Sequence, residues 1–219
     1  MTNDPMTETE TQIIKTEREM KKEYQKMIVI TAPSGAGKTS ITRHLMKVFP
    51  QLAFSVSAAT RQPRSNEKDG VDYYFMPVEE FQKKILDEEF VEWEMVYEGK
   101  YYGTLKSELR RMWNKEQIPV LDIDVQGAIH VQKEYPVNSL FIFIKPPSVD
   151  ELKRRLESRG SESAESIHTR VSKAEYELSF ANQFNNVIEN RDFEAACKEA
   201  EKVVKDFINL PAGRQVINS

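Results

Sequence analysis

The sequence predicts an α/β protein: a three-layer core with a parallel sheet between helices, an inserted small mixed α/β lobe, and a mobile lid. Three observations carry this reading. Short apolar runs alternate with amphipathic helical stretches along most of the 219 residues, as in a parallel sheet whose strands are joined by helical crossovers. One of these runs opens directly into a glycine-rich turn and a helix. Residues 58–103 then interrupt the alternation with a dense mixture of aromatic and charged side chains.

Taken in order, residues 1–26 are rich in Thr, Glu and Lys without a strong apolar stripe. They read as a flexible arm, either disordered or a loose solvated helix. A buried strand is expected over 27–32, built on Met27-Ile28-Val29-Ile30-Thr31, and a helix over 38–49. Between them lies Ala32-Pro33-Ser34-Gly35-Ala36-Gly37-Lys38-Thr39. Strand, glycine-rich turn, Lys-Thr and helix in that order form the phosphate cradle of a P-loop nucleoside-triphosphate site. Backbone N–H groups in the turn and at the helix N-terminus converge on one anion. Lys38 then reaches the β/γ-phosphates, and the Thr39 hydroxyl holds Mg²⁺. Ala32 stands where the strict pattern has glycine, a position that needs smallness more than a positive φ.

A second strand is expected over 52–57. In the interrupting lobe, extended pieces at 72–76, 90–97 and 101–102 can pair around a Glu98-Gly99-Lys100 turn, with a short helix at 78–87. Beyond it, helices fit 104–114, 127–134, 148–158, 165–182 and 192–208, and strands 119–123, 139–144 and 186–189. Ser148 and Glu151 suit a capping box. Asp122 and Asp124 end one strand with a period of two, so both face one way. Carboxylates at that edge can help hold hydrated Mg²⁺ or position a substrate. Residues 159–168 are polar, flanked by arginines, and read as the lid; residues 209–219 read as a frayed tail. The core is thus expected over 27–57 and 104–208, with the lobe at 58–103.

A net charge of −4 gives no global positive field to recruit nucleic acid or an anionic membrane. No apolar run approaches the roughly 20 residues that span a bilayer, and the N-terminus lacks the apolar stretch of a signal peptide. The lone Cys197 has no internal disulfide partner and sits on an apolar helix face with Phe193, Ala196, Ala200, Val203, Val204 and Phe207. A cytoplasmic protein is expected. His44, His130 and His168 have no metal-ligand spacing.

The segment Ser57 to Phe75, SAATRQPRSNEKDGVDYYF, puts two guanidinium groups, hydroxyls and a tyrosine close together. Arginine forks match phosphate oxygens, although on residue types alone a solvated basic loop is an equal reading. Its spacing, S-x-x-T-R-x-P-R-x-x-E-x-x-G-x-D-Y-x-F, resembles the signature of guanylate kinases. So do Glu92-Trp93, Tyr101-Tyr102-Gly103-Thr104, Leu121-Asp122-Ile123-Asp124-Val125-Gln126-Gly127, Pro146-Pro147-Ser148, Arg155-Leu156-Glu157-Ser158-Arg159-Gly160 and Arg170. The resemblance runs from about Met27 to Ile208.

It implies a kinase that transfers phosphate from ATP to GMP, and also to dGMP, with Mg²⁺. Carried across, Ser57, Arg61, Arg64, Tyr73 and Tyr102 would hold the GMP phosphate, and Glu92, Thr104 and Asp124 the guanine side. Asp122 would lie near substrate or metal. Arg159 and Arg170 would reach the transferring group, and Asn190 the adenine. Guanine presents N1–H and N2–H₂ donors that one carboxylate can accept together, whereas adenine has no donor at those two positions. Besides Ala32, three departures stand out. Thr39-Ser40 reverses the commoner order, Ala58-Ala59 replaces residues that often carry hydroxyls, and the 92–103 interval is one residue longer than in some relatives.

Overall fold

In a computed structural model the described residues are 25–158 and 164–211. The expected arm up to residue 24, the first half of the expected lid with Arg159, and the tail from residue 212 lie outside them. In chain order, β1 (Met27–Thr31) leads into α1 (Lys38–Val48) and β2 (Leu52–Phe54). Then follow β3 (Ala58–Ala59), β4 (Tyr74–Phe75), α2 (Val78–Leu86), β5 (Phe90–Tyr97) and β6 (Lys100–Leu105). The remainder is α3 (Lys106–Trp113), β7 (Ile118–Asp122), α4 (Val125–Glu134), β8 (Ser139–Lys145), α5 (Val149–Glu157), α6 (Ala164–Leu178), a 3-10 turn at Ala181–Gln183, β9 (Asn186–Glu189) and α7 (Phe193–Asn209).

The first sheet has the order β2-β7-β1-β8-β9 with every pairing parallel. Parallel strands need both faces covered, and the alternation within β1 shows how. Ile28 and Ile30 point into a cluster with Ile41 and Leu45 of α1 and Ala200, Val204 and Phe207 of α7. Met27 and Val29 point the other way, towards Leu109 of α3, Ala128 and Val131 of α4, and Phe141 and Phe143 of β8. Two apolar layers on one sheet make the three-layer core that the sequence predicts. Cys197 lies inside the first layer, buried.

The second sheet, β4-β3-β6-β5, is mixed: β3 runs parallel to β4, whereas β6 is antiparallel to both β3 and β5. Phe81 of α2 covers it, stacked on Phe90 with ring centres 4.3 Å apart. A buried Glu108 on α3 ties this sheet to the core. It accepts from the Val56 backbone N–H, from the Tyr74 hydroxyl at 2.8 Å and from both prongs of Arg111.

Several boundaries differ from expectation. The strand expected at 101–102 runs on to Leu105, because Thr104 and Leu105 complete the ladder opposite Glu92 and Phe90, so the helix starts at Lys106 instead of 104. The strand expected over 52–57 stops at Phe54, and Ala58-Ala59 joins the second sheet instead, where both alanines are fully buried. Helix α4 begins at Val125 because the Asp124 side chain accepts from Gly127 N–H and caps it. Ser148 caps α5 in the same way, but the Glu151 carboxylate turns to Arg154 and Arg155 and the reciprocal half of the capping box does not form.

Candidate active site

The turn after β1 is held open by its backbone. Gly37 caps α1 at φ 101°, in the left-handed region that glycine adopts without steric cost. A Cβ there would also come 2.2 Å from the Asn190 amide nitrogen. That amide is buried, and it donates to the Ala36 carbonyl at 2.7 Å. Arg155 in turn donates to the backbone carbonyl of Asn190 at 2.9 Å and to the Glu151 carboxylate. The side chain that the resemblance puts at the adenine is therefore committed, through its amide, to bracing the phosphate turn from beneath.

Around this turn lies a cavity of about 400 Å³, lined by Ala32, Pro33, Ser34, Gly35, Gly37, Lys38 and Thr39 together with Asp122, Ile123 and Asp124. Lys38 points across it, ion-paired with Asp122 and donating to the Ile123 carbonyl at 3.3 Å. Ala36 is fully buried beneath the turn. Arg170 of α6 reaches the turn, 3.4 Å from the Ser34 hydroxyl. Lys173 and the mostly buried Glu177, one turn and two turns further along α6, line the same space. Burial pushes the Glu177 carboxyl above its ordinary range, with Asp124 adding to the effect and Lys173 opposing it.

A second cavity of about 370 Å³ adjoins the first. Its walls are Ser57, Arg61, Arg64, Tyr73, Glu92, Glu94, Val96, Tyr102 and Gly103, with Asp122, Ile123 and Asp124 again. The two cavities share the short ledge 122–124 at the end of β7. At one end of the second cavity Arg61 is clamped by Glu67, with bonds of 2.5 and 2.7 Å. Its guanidinium lies 4.8 Å from the Tyr73 ring centre and 5.4 Å from that of Phe75. Glu67 also accepts from the Arg64 N–H at 2.8 Å, and the Arg61 bonds hold its carboxyl down at about 2. The Arg64 side chain is 75% exposed, with its guanidinium 4.0 Å from the Glu67 carboxylate.

At the other end Glu92 is 7% exposed and accepts from the Thr104 hydroxyl at 2.7 Å. Burial raises its carboxyl to about 7; the Thr104 bond opposes this and the Asp124 charge reinforces it. A register shift between Met95 and Tyr97 lies on the turn side of this pair, and Thr104 stands opposite Glu92. Gly127 is needed beside this pair, because a Cβ there would sit 3.1 Å from Glu92 Oε2 and 3.2 Å from Asp124 Oδ1.

Of the residues singled out from sequence, Ser57, Arg61, Arg64, Tyr73, Glu92, Tyr102, Asp122 and Asp124 meet around one cavity, and Thr104 backs it through Glu92. Asp122 and Asp124 separate: the first pairs with Lys38, the second caps α4 beside Glu92. Arg159 lies outside the described residues. Sequence reasoning missed Glu67, Glu94, Lys173 and Glu177. Glu94 was legible in principle, since it follows Glu92 at the strand period. Among the described residues, no group of three or more His, Cys, Asp or Glu is placed to hold a metal, and no helix is long and apolar enough to cross a membrane.

Comparison with known proteins gives one answer. Residues 24–207 match the family model described as guanylate kinase. The guanylate kinase of Bacteroides thetaiotaomicron is 47% identical over 184 residues, covering 84% of this chain and 90% of that protein. That of Salinibacter ruber is 43% identical over 184 residues, covering 84% and 97%. The crystal structure of guanylate kinase from Anaplasma phagocytophilum superposes with a TM-score of 0.65 at 29% identity, covering 84% of this chain and 87% of that one. With the family model spanning both cavities and the ledge between them, this chain belongs to the guanylate kinase family.

Proposed function

We propose that the two adjoining cavities are the donor and acceptor halves of one phosphoryl-transfer site, with the ledge 122–124 as the meeting point. The chain is a kinase that phosphorylates GMP with ATP, ATP + GMP ⇌ ADP + GDP. The observation that carries the residue assignment is the shared ledge: it brings a phosphate-binding turn and a pocket with a cationic end and a carboxylate end into contact.

The triphosphate is cradled by residues 32–39. Lys38, already aimed across the cavity, neutralises charge that spreads over the transferring group, and Arg170 approaches the same region from α6. Arg159, two residues beyond α5 in the sequence, is assigned to the same group. Ser57, Arg61, Arg64, Tyr73 and Tyr102 take the acceptor phosphate, with Arg61 pre-positioned by Glu67. Glu92, Thr104 and Asp124 take the guanine, and the sugar spans the space between. The acceptor oxygen is already anionic, so no general base is required, and attack on the γ-phosphorus is direct and in line. dGMP, with the same base and phosphate, is accepted as well.

Mg²⁺ fits the donor set: the Thr39 hydroxyl and the Asp122 carboxylate are hard oxygens among the groups lining the donor cavity, and Mg²⁺ commonly takes few protein ligands beside phosphates and water. When bound, it supplies charge neutralisation and orientation of the phosphates. The cytoplasm, where thiols such as Cys197 stay reduced, is the setting that fits.

The test is ADP release with GMP, AMP, CMP, UMP and no acceptor, for wild type and Lys38→Met. Wild type should be fast with GMP alone. Lys38→Met should lose turnover by two or more orders of magnitude while GMP still binds, as expected for lost electrostatic stabilisation. Near-normal turnover in the folded variant would remove Lys38 from the mechanism.

A further inference from the structure

Glu94 lines the acceptor cavity but has no part in the assignment above. Its position follows from the ladder between β5 and β6. Glu92 stands opposite Thr104, and Glu94 stands opposite Tyr102. Residues two apart on a strand share a face and lie about 7 Å from each other. Glu94 is therefore one step from the carboxylate end of the pocket, level with the tyrosine that belongs to its cationic end. It also turns inward, lining the same cavity as Asp124, while Trp93, on the opposite face of the ribbon, is 46% exposed.

In a nucleoside monophosphate the group between base and phosphate is the sugar. With the guanine at Glu92 and the phosphate at Tyr102 and Arg61, the sugar falls beside Glu94 and Asp124. Glu94 and Asp124 are both acceptors lining this cavity; Asp124 already takes the Gly127 N–H, and a sugar hydroxyl is the kind of donor that Glu94 can accept from. The amount of contact differs between ribose and deoxyribose by one group, the 2′-hydroxyl.

We infer that Glu94 is a specificity-determining residue that hydrogen-bonds the ribose 2′-hydroxyl of the acceptor and makes the enzyme prefer GMP to dGMP. This rests on the acceptor-site reading given above. Both nucleotides react; the ribonucleotide reacts with the higher kcat/KM.

The experiment is the ratio of kcat/KM for GMP to that for dGMP at saturating ATP, measured for wild type, Glu94→Ala, Glu94→Gln and Glu92→Gln. Wild type should favour GMP by roughly ten-fold, the usual worth of one hydrogen bond to a charged group. Glu94→Ala should bring the ratio close to one. Glu94→Gln, which keeps an acceptor oxygen, should retain most of the preference. The ratio is an internal control, because a poorly folded fraction lowers both numbers equally. If Glu94→Ala is too slow to assay, the same contrast is read from the GMP and dGMP concentrations that half-saturate its thermal shift. A wild-type ratio of one, or a ratio unchanged in Glu94→Ala, overturns the inference. Glu92→Gln separates the two levels of failure. If it leaves both nucleotides untouched, the acceptor-site reading fails; if it cripples both while Glu94→Ala keeps the ratio, only the role of Glu94 fails.

Discussion

Glu92 concentrates the base-selecting chemistry into one buried carboxyl. Taken out of water, a carboxylate costs free energy unless donors reach it, and before the nucleotide arrives the only side-chain donor to Glu92 is Thr104 among the described residues. That is why its carboxyl titrates near 7. Between about pH 4.5 and 7 the folded protein therefore holds a proton that the unfolded chain has released, so this group lowers stability as pH rises through the window. Guanine reverses the balance. Its N1–H and N2–H₂ need an ionised acceptor, so GMP affinity should rise from pH 6 to pH 8 and binding should release a proton. The acceptor phosphate also titrates near pH 6, and Glu92→Gln isolates the carboxyl, because its profile keeps the phosphate step and should lose the other. Calorimetry in two buffers of different ionisation enthalpy checks this; identical proton release in wild type and Glu92→Gln would move guanine recognition elsewhere. Removing the side chain altogether, Glu92→Ala, should cut kcat/KM for GMP by roughly ten- to several-hundred-fold, at about 1.4 kcal/mol per decade. IMP keeps N1–H but lacks the N2 amine and should lose less.

At the scale of elements, the phosphate turn depends on parts distant in sequence. The β1–turn–α1 unit was readable from local pattern, since apolar run, glycines and Lys-Thr announce it within thirteen residues. What braces it was not: Asn190 arrives from the end of β9 and Arg155 from α5, and only the tertiary fold brings Asn190 to the Ala36 carbonyl and Arg155 to Asn190. The same divide runs through the acceptor side. The Ser57–Phe75 segment was legible by spacing, but the clamp of Glu67 on Arg61 was not assigned, and the boundary at Thr104 was misplaced because Gly103 and Thr104 look like a loop entering a helix until β5 supplies a partner. Local pattern specifies elements; the choice between strand end and helix start belongs to the neighbour. Gly37→Ala tests the brace directly. The new Cβ would both disfavour φ 101° and press on the Asn190 amide, so the turn must shift away from its phosphate-binding shape. ATP KM should rise at least ten-fold, while GMP binding to the separate acceptor cavity should persist. Equal loss of both would indicate general unfolding rather than a displaced turn.

At the scale of the whole molecule, the described chain is closed near its ends by one buried lysine. Lys26, 5% exposed, sends its ammonium to the carbonyl of Ile208 at 2.7 Å and to that of Leu210 at 2.5 Å, which are otherwise among the open carbonyls at the end of α7. Its own carbonyl accepts from the Trp113 indole at 2.9 Å. The start of the sheet, the last helix and α3 are thus joined at one residue, across 184 positions of sequence. The family match begins at residue 24, just before it. Two truncation-type experiments should then differ sharply. Deleting residues 1–24 leaves Lys26 and every group assigned to the site, and should change neither kcat nor the melting temperature appreciably. Lys26→Met keeps the length of the stem but strips a donor from two carbonyls, and should cost about 1–3 kcal/mol, a fall of several degrees in Tm for a domain of this size. Its kcat with GMP should stay close to wild type at 25 °C, because the closure lies on the far side of the sheet from the strand ends that carry the ledge. A large loss of activity on deleting 1–24 would show that the N-terminal residues contribute to the site or to an assembly. An unchanged Tm in Lys26→Met would show that water satisfies those carbonyls as well as the lysine does.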